Sequence, residues 1–265
     1  GARWLRCRIV DSLARYRVEA QLARHHRRIE ATRAVLVEAV QHGCPLVVAT
    51  SWGKDSCALL HLALATLGCD RVEALHLASS YALPGYEDVR AYFHAHVTVH
   101  EIAPTRSIGE MVEWLRTVGL PHERSRAEQM SVVDAIKKDP AREWLAERGY
   151  TVEALGLRAE ESAGRGRSYA ARGSLYRLRC GLWIATPIAR WTGTDVWAYI
   201  AANDVPYDHA IYDAETDGFT RERIRNAGWM STDGAERGRL VWLRRNFRDH
   251  YEALVAAFPQ MGRYA

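Results

Sequence analysis

Residues 46–64 limit what this chain can fold into more than any other stretch. The β-rich run Leu46-Val47-Val48-Ala49-Thr50 breaks into Ser51-Trp52-Gly53-Lys54-Asp55-Ser56, and an apolar helical pattern follows at once with Cys57, Leu59, Leu60, Leu62 and Leu64. Strand, tight polar turn, helix: this order aims unsatisfied backbone N–H groups and a positive helix end at one point. An anion, above all a phosphate chain, is what such a point binds. The stretch is not a Walker A loop, which needs Gly-x-x-x-x-Gly-Lys-Ser/Thr. Here Val48 stands five before Gly53, and Asp55 follows Lys54. Gly53 permits close backbone approach, Lys54 brings a point charge, and Ser51 and Ser56 bring hydroxyls. Asp55 only accepts, so its expected work is to orient Lys54 or help hold a metal. The competing reading is an ordinary strand-to-helix turn.

The rest of the chain alternates in the same way. Strands are expected at 71–77, 97–103, 152–157 and 182–185, with helices at 54–67, 87–96, 107–118 and 124–148 between them. A basic, glycine-containing loop is expected over 163–173. Helices around 192–203 and 236–257 close the body. This pattern predicts an α/β fold: a Rossmann-like, five-stranded parallel sheet with helices on both faces, extended by helices at both ends. The expected units are a basic helical arm (1–43), a nucleotide-binding body (44–212) and a C-terminal helical region (213–265). Ligands of such sheets sit beyond the carboxyl ends of the strands. That rule brings together the segments 51–56, 78–86 and 158–167.

Composition excludes several classes. With 48% hydrophobic and 26% charged residues the chain is an ordinary globular one. No apolar run approaches the roughly 18 residues that span a bilayer, so no membrane partner is expected. No signal peptide is visible. The five cysteines (7, 44, 57, 69, 180) are scattered without a C-x-x-C pair, which argues against a disulfide framework or a cluster held by this chain alone. A cytoplasmic location is the expectation. The net charge is +4, and residues 1–40 alone carry nine Arg against four acids. That arm reads either as amphipathic helix packed on the body with a solvated Arg face, or as a contact for nucleic acid or another acidic partner.

Two further runs carry chemistry. In Gly156-Leu157-Arg158-Ala159-Glu160-Glu161-Ser162-Ala163-Gly164-Arg165, two arginines flank two acids at a strand end. Arg158 and Arg165 suit phosphate or sulfate oxygens, and Glu160 or Glu161 suits an arginine or a metal. A solvated charged loop is the alternative. The third run is Pro187-Ile188 followed by Trp191-Thr192-Gly193-Thr194-Asp195-Val196-Trp197-Ala198-Tyr199-Ile200. Thr192 or Thr194 is a good helix cap, Val196 and Ile200 read as packing, and Trp191 and Tyr199 suit either core or site wall.

These three runs, in this order, resemble the phosphoadenosine phosphosulfate (PAPS) reductase family, within the PP-loop, adenine-nucleotide α-hydrolase-like superfamily, and are similar to DNA phosphorothioation ATP pyrophosphatases. The resemblance covers roughly 44–212. It implies an adenine nucleotide, expected to be ATP with Mg²⁺, bound by Thr50, Ser51, Trp52, Gly53, Lys54, Asp55 and Ser56 together with Gly156, Arg158, Glu160, Glu161 and Arg165. The adenine would be read by backbone near Leu75, His76 and Leu77. Lys54, Asp55, Arg158 and Arg165 are the expected catalytic residues, and Asp55 and Glu161 the expected metal ligands. Trp52 departs from the family, which has a second glycine there; either the backbone avoids φ > 0 or the ring forms part of the pocket. The reductases attack with a cysteine near their C-terminus, and no cysteine follows Cys180. Nor does Arg225–Ser231 hold the clustered cysteines of the iron–sulfur relatives. Cys180 itself reads as a buried small hydrophobe or a thiol near the site. The expectation is therefore cleavage of ATP to AMP and pyrophosphate with adenylation of an acceptor, for sulfur transfer such as DNA phosphorothioation. A cysteine desulfurase and nucleic acid would be the partners. The alternatives are a PAPS reductase using an external thiol, and a non-catalytic nucleotide-binding subunit.

Overall fold

The computed structural model describes residues 13–78, 83–104, 110, 113, 138–214, 220–224, 239–259 and 262. The core is a six-stranded sheet in the order β3-β2-β1-β4-β6-β5. Its strands are β1 (Leu46–Thr50), β2 (Val72–Leu77), β3 (Thr98–Ile102), β4 (Val152–Leu155), β5 (Leu175–Arg177) and β6 (Trp183–Ala185). All pairings are parallel except β5 with β6. The expected five-stranded sheet is thus one strand short. β5 is only three residues long and carries Arg177, so neither length nor alternation announced it.

Helix α1 (Ala23–Ala39) follows a helical stretch over 13–20, and α2 (Lys54–Leu67) follows β1. Then come α3 (Glu87–His94), α4 (Asp139–Glu147), α5 (Ala163–Arg172), α6 (Gly193–Asn203), α7 (Arg239–Asn246) and α8 (Arg248–Ala257). The expected closing helix over 236–257 is two helices, parted at Phe247. The expected loop over 163–173 is α5. Ser162 caps it by accepting from the Arg165 N–H, and Gly173 ends it at φ 72°. A good cap and a good stop outweigh the two glycines within. Most of the helices expected at 107–118 and 124–148, the loop residues 79–82 and the segment 225–230 lie outside the described residues.

Two cores flank the sheet. On one face β1, α1, α2, α3 and α6 close over Leu36, Leu46, Val48, Leu59, Leu60, Phe93, Val196, Trp197 and Ile200. On the other, Val47, Leu75 and Ile184 meet Leu145 of α4. Val196 and Ile200 are packing residues, as their spacing suggested. Trp191 and Tyr199 are buried as well: Trp191 donates to Thr32 Oγ1 at 2.9 Å, and Tyr199 OH lies 2.9 Å from His61 Nδ1.

The arm is fastened to this body. Thr32 Oγ1 donates to the Pro187 carbonyl at 3.0 Å. Arg28 binds Asp195, and His25 Nδ1 lies 3.5 Å from the same carboxylate. Asp195 also closes a capping box with Thr192, accepting from its N–H at 2.7 Å while Thr192 Oγ1 accepts from the Asp195 N–H at 3.2 Å. Burial pushes the Asp195 carboxyl up, but His25, Thr192 and Arg28 outweigh that and hold it at about 2. Over its described residues the arm is helix packed on the body, as one of its two readings expected.

Candidate functional site

Strand order reverses at β1: β2 and β3 lie to one side, β4 and β6 to the other. The crevice beyond this switch point is where such sheets bind ligands, and the loops after β1 and β4 are its two walls. They touch. A side chain at Gly156 would place its Cβ 3.0 Å from Ser56 Cα and N. That contact needs a glycine, and it indexes the 156–165 run against the first turn of α2.

The 51–56 loop is braced from within. Trp52 N–H donates to Thr50 Oγ1 at 3.1 Å, Ser51 N–H to Ser56 Oγ at 3.3 Å, and Ser56 Oγ to the Gly53 carbonyl at 3.0 Å. Gly53 is the N-cap of α2 and provides no side-chain cap, which leaves the helix start to be satisfied by something else. Trp52 has φ 57°, so its backbone does not avoid the left-handed region. That conformation costs a non-glycine residue about 1–2 kcal/mol. The ring is fully buried, 5.2 Å from the His76 ring and stacked on Phe93 at 6.0 Å. It forms the floor beneath the loop, and its burial is what offsets the strained backbone.

The charges interlock. Asp55 accepts from Lys54 Nζ at 3.1 Å and from Arg158 Nε at 2.6 Å. Burial raises the Asp55 carboxyl, but Lys54 and Arg158 outweigh it and hold it below the ordinary carboxylate range. Arg158 also binds Glu160, whose Oε1 accepts from the Gly193 N–H at 2.6 Å at the start of α6. Glu161 Oε2 accepts from the Arg158 N–H at 3.2 Å and pairs with Arg165. Three cations thus face three carboxylates. Lys54 is almost wholly buried, and its ammonium also donates to the Ile224 carbonyl at 2.8 Å. The expected metal ligands Asp55 and Glu161 are both engaged by cations. Among the described residues no group of three His, Cys, Asp or Glu side chains is placed to hold a metal. A metal held by Asp55 or Glu161 would have to displace these cations.

On the β2 side, His76 pairs with Thr50 and donates Nδ1–H to its carbonyl at 3.0 Å. Burial lowers its basicity. Leu77 ends the strand opposite Ile102, and Leu75 is buried in the second core. All the expected nucleotide-contacting segments therefore gather at one end of the sheet, with His76 and Leu77 across β1 from Gly156 and Arg158.

A family model for the phosphoadenosine phosphosulfate reductase domain matches residues 45–254. The chain belongs to this family. A phosphoadenosine 5′-phosphosulfate reductase of Synechococcus sp. is 27% identical over 201 residues, covering 74% of this chain and 79% of its own. One from Gloeobacter violaceus is 27% identical over 180 residues, covering 67% and 70%. Among solved structures, a U34-tRNA thiolase from Methanococcus maripaludis with its [4Fe-4S] cluster shares a TM-score of 0.52 at 10% identity, over 91% of this chain and 80% of that one. An FMN adenylyltransferase from Candida glabrata, in complex with FMN and the ATP analogue AMPCPP, shares 0.50 at 13% identity, over 76% and 66%. These two likenesses are of fold. In this member of the PAPS reductase family, two contacts to Lys54 were invisible in the sequence. Tyr212 OH accepts from the Lys54 N–H at 3.1 Å, and its ring lies 5.5 Å from Lys54 Nζ. The other is the Ile224 carbonyl. A backbone carbonyl leaves no residue signature, and Tyr212 lies beyond the last motif.

Three of the four described cysteines lie elsewhere. Cys44, Cys69 and Cys180 each precede the amino end of a parallel strand, the end opposite the phosphate loop, and all three are exposed. Cys180 is therefore neither buried nor beside the site. Cys57 lies in the first turn of α2, fully buried, and burial pushes its thiol far up.

Proposed function

We propose that this chain binds ATP with its phosphates on the 51–56 loop and cleaves it between the α- and β-phosphorus, releasing pyrophosphate and adenylating an acceptor oxygen for later sulfur transfer. The observation that carries this reading is the 51–56 loop at the start of α2 walled by Gly156 and Arg158, with Lys54 and Arg158 gathered on Asp55 and the described thiols remote or deeply buried. A sulfonucleotide reductase needs an accessible thiolate at the reacting sulfur; Cys57 is buried and the exposed cysteines are at the wrong end of the sheet.

Within this reading, the phosphate chain lies at the positive start of α2, while the Ser51, Trp52 and Lys54 N–H groups, taken by Ser56, Thr50 and Tyr212, hold the loop in shape. Lys54 and Arg158 are partly neutralised by Asp55. Negative charge arriving on the phosphates competes with that carboxylate, and the cations stabilise the leaving pyrophosphate as charge develops there. Asp55 keeps both cations aimed in the meantime. Attack on the α-phosphorus by the acceptor oxygen breaks the α–β bridging bond; pyrophosphate takes the electron pair. A cysteine desulfurase fits as the sulfur source.

The test is mass analysis of nucleotide products after incubation with ATP and Mg²⁺, with and without acceptor. AMP and pyrophosphate are the expected products; ADP and phosphate would overturn the reading. The family membership and its curated relatives favour one second reading, a PAPS reductase fed by an external thiol. Sulfite release from PAPS with thioredoxin would establish it.

A further inference from the structure

The arginines of this molecule fall into two groups that behave oppositely. In the arm, Arg15 pairs with Glu222, Arg17 with Asp204, Arg24 with Glu19, Arg28 with Asp195 and Arg33 with Glu30. Only Arg27 among the arm's described arginines has no carboxylate partner among the described residues. Residues 163–194 are different. They hold six arginines and not one Asp or Glu. Arg165 turns inward to Glu161, whereas Arg167, Arg172, Arg177, Arg179 and Arg190 are exposed, with no carboxylate partner among the described residues.

The fold spreads these charges along one flank of the molecule, from the site's acidic turn to the far end of the sheet. α5 starts at Ser162, directly after the site's acidic turn, and carries Arg167 and Arg172. Its end feeds β5, the outer strand of the sheet, where Leu175 pairs with Ala185 at the ligand end and Arg177 with Trp183 at the far end. The turn beyond holds Arg179. Arg190 lies in the segment whose Ala189 carbonyl accepts from the Ala159 N–H at 2.9 Å, beside the base of α5. The exposed Arg172 guanidinium sits 5.2 Å over the half-buried Tyr176 ring.

We propose that α5, β5 and the turn after it form a docking track for a single nucleic-acid strand that leads to the phosphate loop. This rests on the adenylation reading only for the strand's role as acceptor. Exposed guanidiniums with no carboxylate partner among the described residues match an evenly charged phosphate backbone, and the exposed Arg172 guanidinium lying over the half-buried Tyr176 ring gives bases a planar face to stack on. An acidic peptide would be matched by charge alone.

The experiment is fluorescence anisotropy with a labelled 20-nucleotide single strand of mixed sequence, as DNA and as RNA, using the full chain. Polyglutamate is the competitor, and ATP binding is measured in parallel. Five phosphate contacts predict a slope of log K against log[salt] near −3.5, about 100-fold weaker binding at 200 mM than at 50 mM salt. The triple variant R172Q/R177Q/R179Q is expected to lose at least about tenfold in strand affinity and about 2 in that slope, with ATP binding unchanged. The arm variant R27Q/R33Q is expected to bind the strand as the wild type does. The proposal is overturned if the wild type binds neither strand at 50 mM salt, if the arm variant loses as much as the track variant, or if polyglutamate competes as well as unlabelled strand. Pyrophosphate release failing while strand binding survives would remove the adenylation reading and leave the track.

Discussion

Asp55 and Asp195 each sit in the first turn of a helix, and each is gripped by an arginine more than a hundred residues away, Arg158 for the one and Arg28 for the other. Asp195 spends its charge on construction. It shares Thr192's cap with α6, meets His25 and Arg28 of the arm, and its side chain is 6% exposed. Asp55 is 16% exposed, faces the ligand end of the sheet, and holds two cations that a phosphate would also seek. The same device thus makes a joint in one place and a poised balance in the other. What separates them is whether an incoming anion can replace the carboxylate.

Four outcomes would break or sharpen that contrast. The largest is expected at the site. Lys54→Ala should slow pyrophosphate release by about 100- to 1,000-fold, the size typical of losing one charge-stabilising donor; unchanged turnover would strip the site of its proposed role. Next, Asp195→Asn should lower stability to urea by about 3 kcal/mol, since Arg28 is left without its buried partner, while ATP binding persists. The carboxyl's folded value of about 2 lies below its ordinary 3.8, so its contribution is complete above that ordinary value and fades as pH falls through 2. The gap between wild type and Asp195→Asn in urea titrations should close over that window. Gly156→Ala should cost about 2 kcal/mol, as its Cβ presses on the Ser56 backbone, and it should weaken ATP binding measurably by calorimetry. Smallest, Thr192→Ala should remove about 1 kcal/mol of cap stabilisation and leave product formation untouched.

The phosphate loop and the 156–165 run were legible because each is local: a strand end, a turn and a helix start are written in consecutive residues. Their meeting followed from the strand-order rule. Less local features were not legible. The φ 57° backbone at Trp52 is tolerated because Phe93 and His76 bury its ring, and neither neighbour is close in sequence. The helix over 163–172 was hidden by two glycines that a capping serine outweighs. The arm's nine arginines left a packed helix and an anion-binding face both open, because the acids that pair with several of the described ones come from distant segments, as Glu222 and Asp195 do. Counting positive residues in one segment misses the carboxylates the fold delivers to it.

The central strand carries a consequence for how the protein comes into being. β1 has β2 beside it early, but its second neighbour is β4, with Val47 opposite Glu153, and Lys54 reaches the Ile224 carbonyl. Contacts of such long separation form late, after loop closure. A nascent chain still short of Val152 has the phosphate loop's sequence without its second wall, and one short of Ile224 leaves the Lys54 ammonium without that acceptor. The loop's surroundings are thus complete only once Ile224, 170 residues further along the chain, has come back to Lys54.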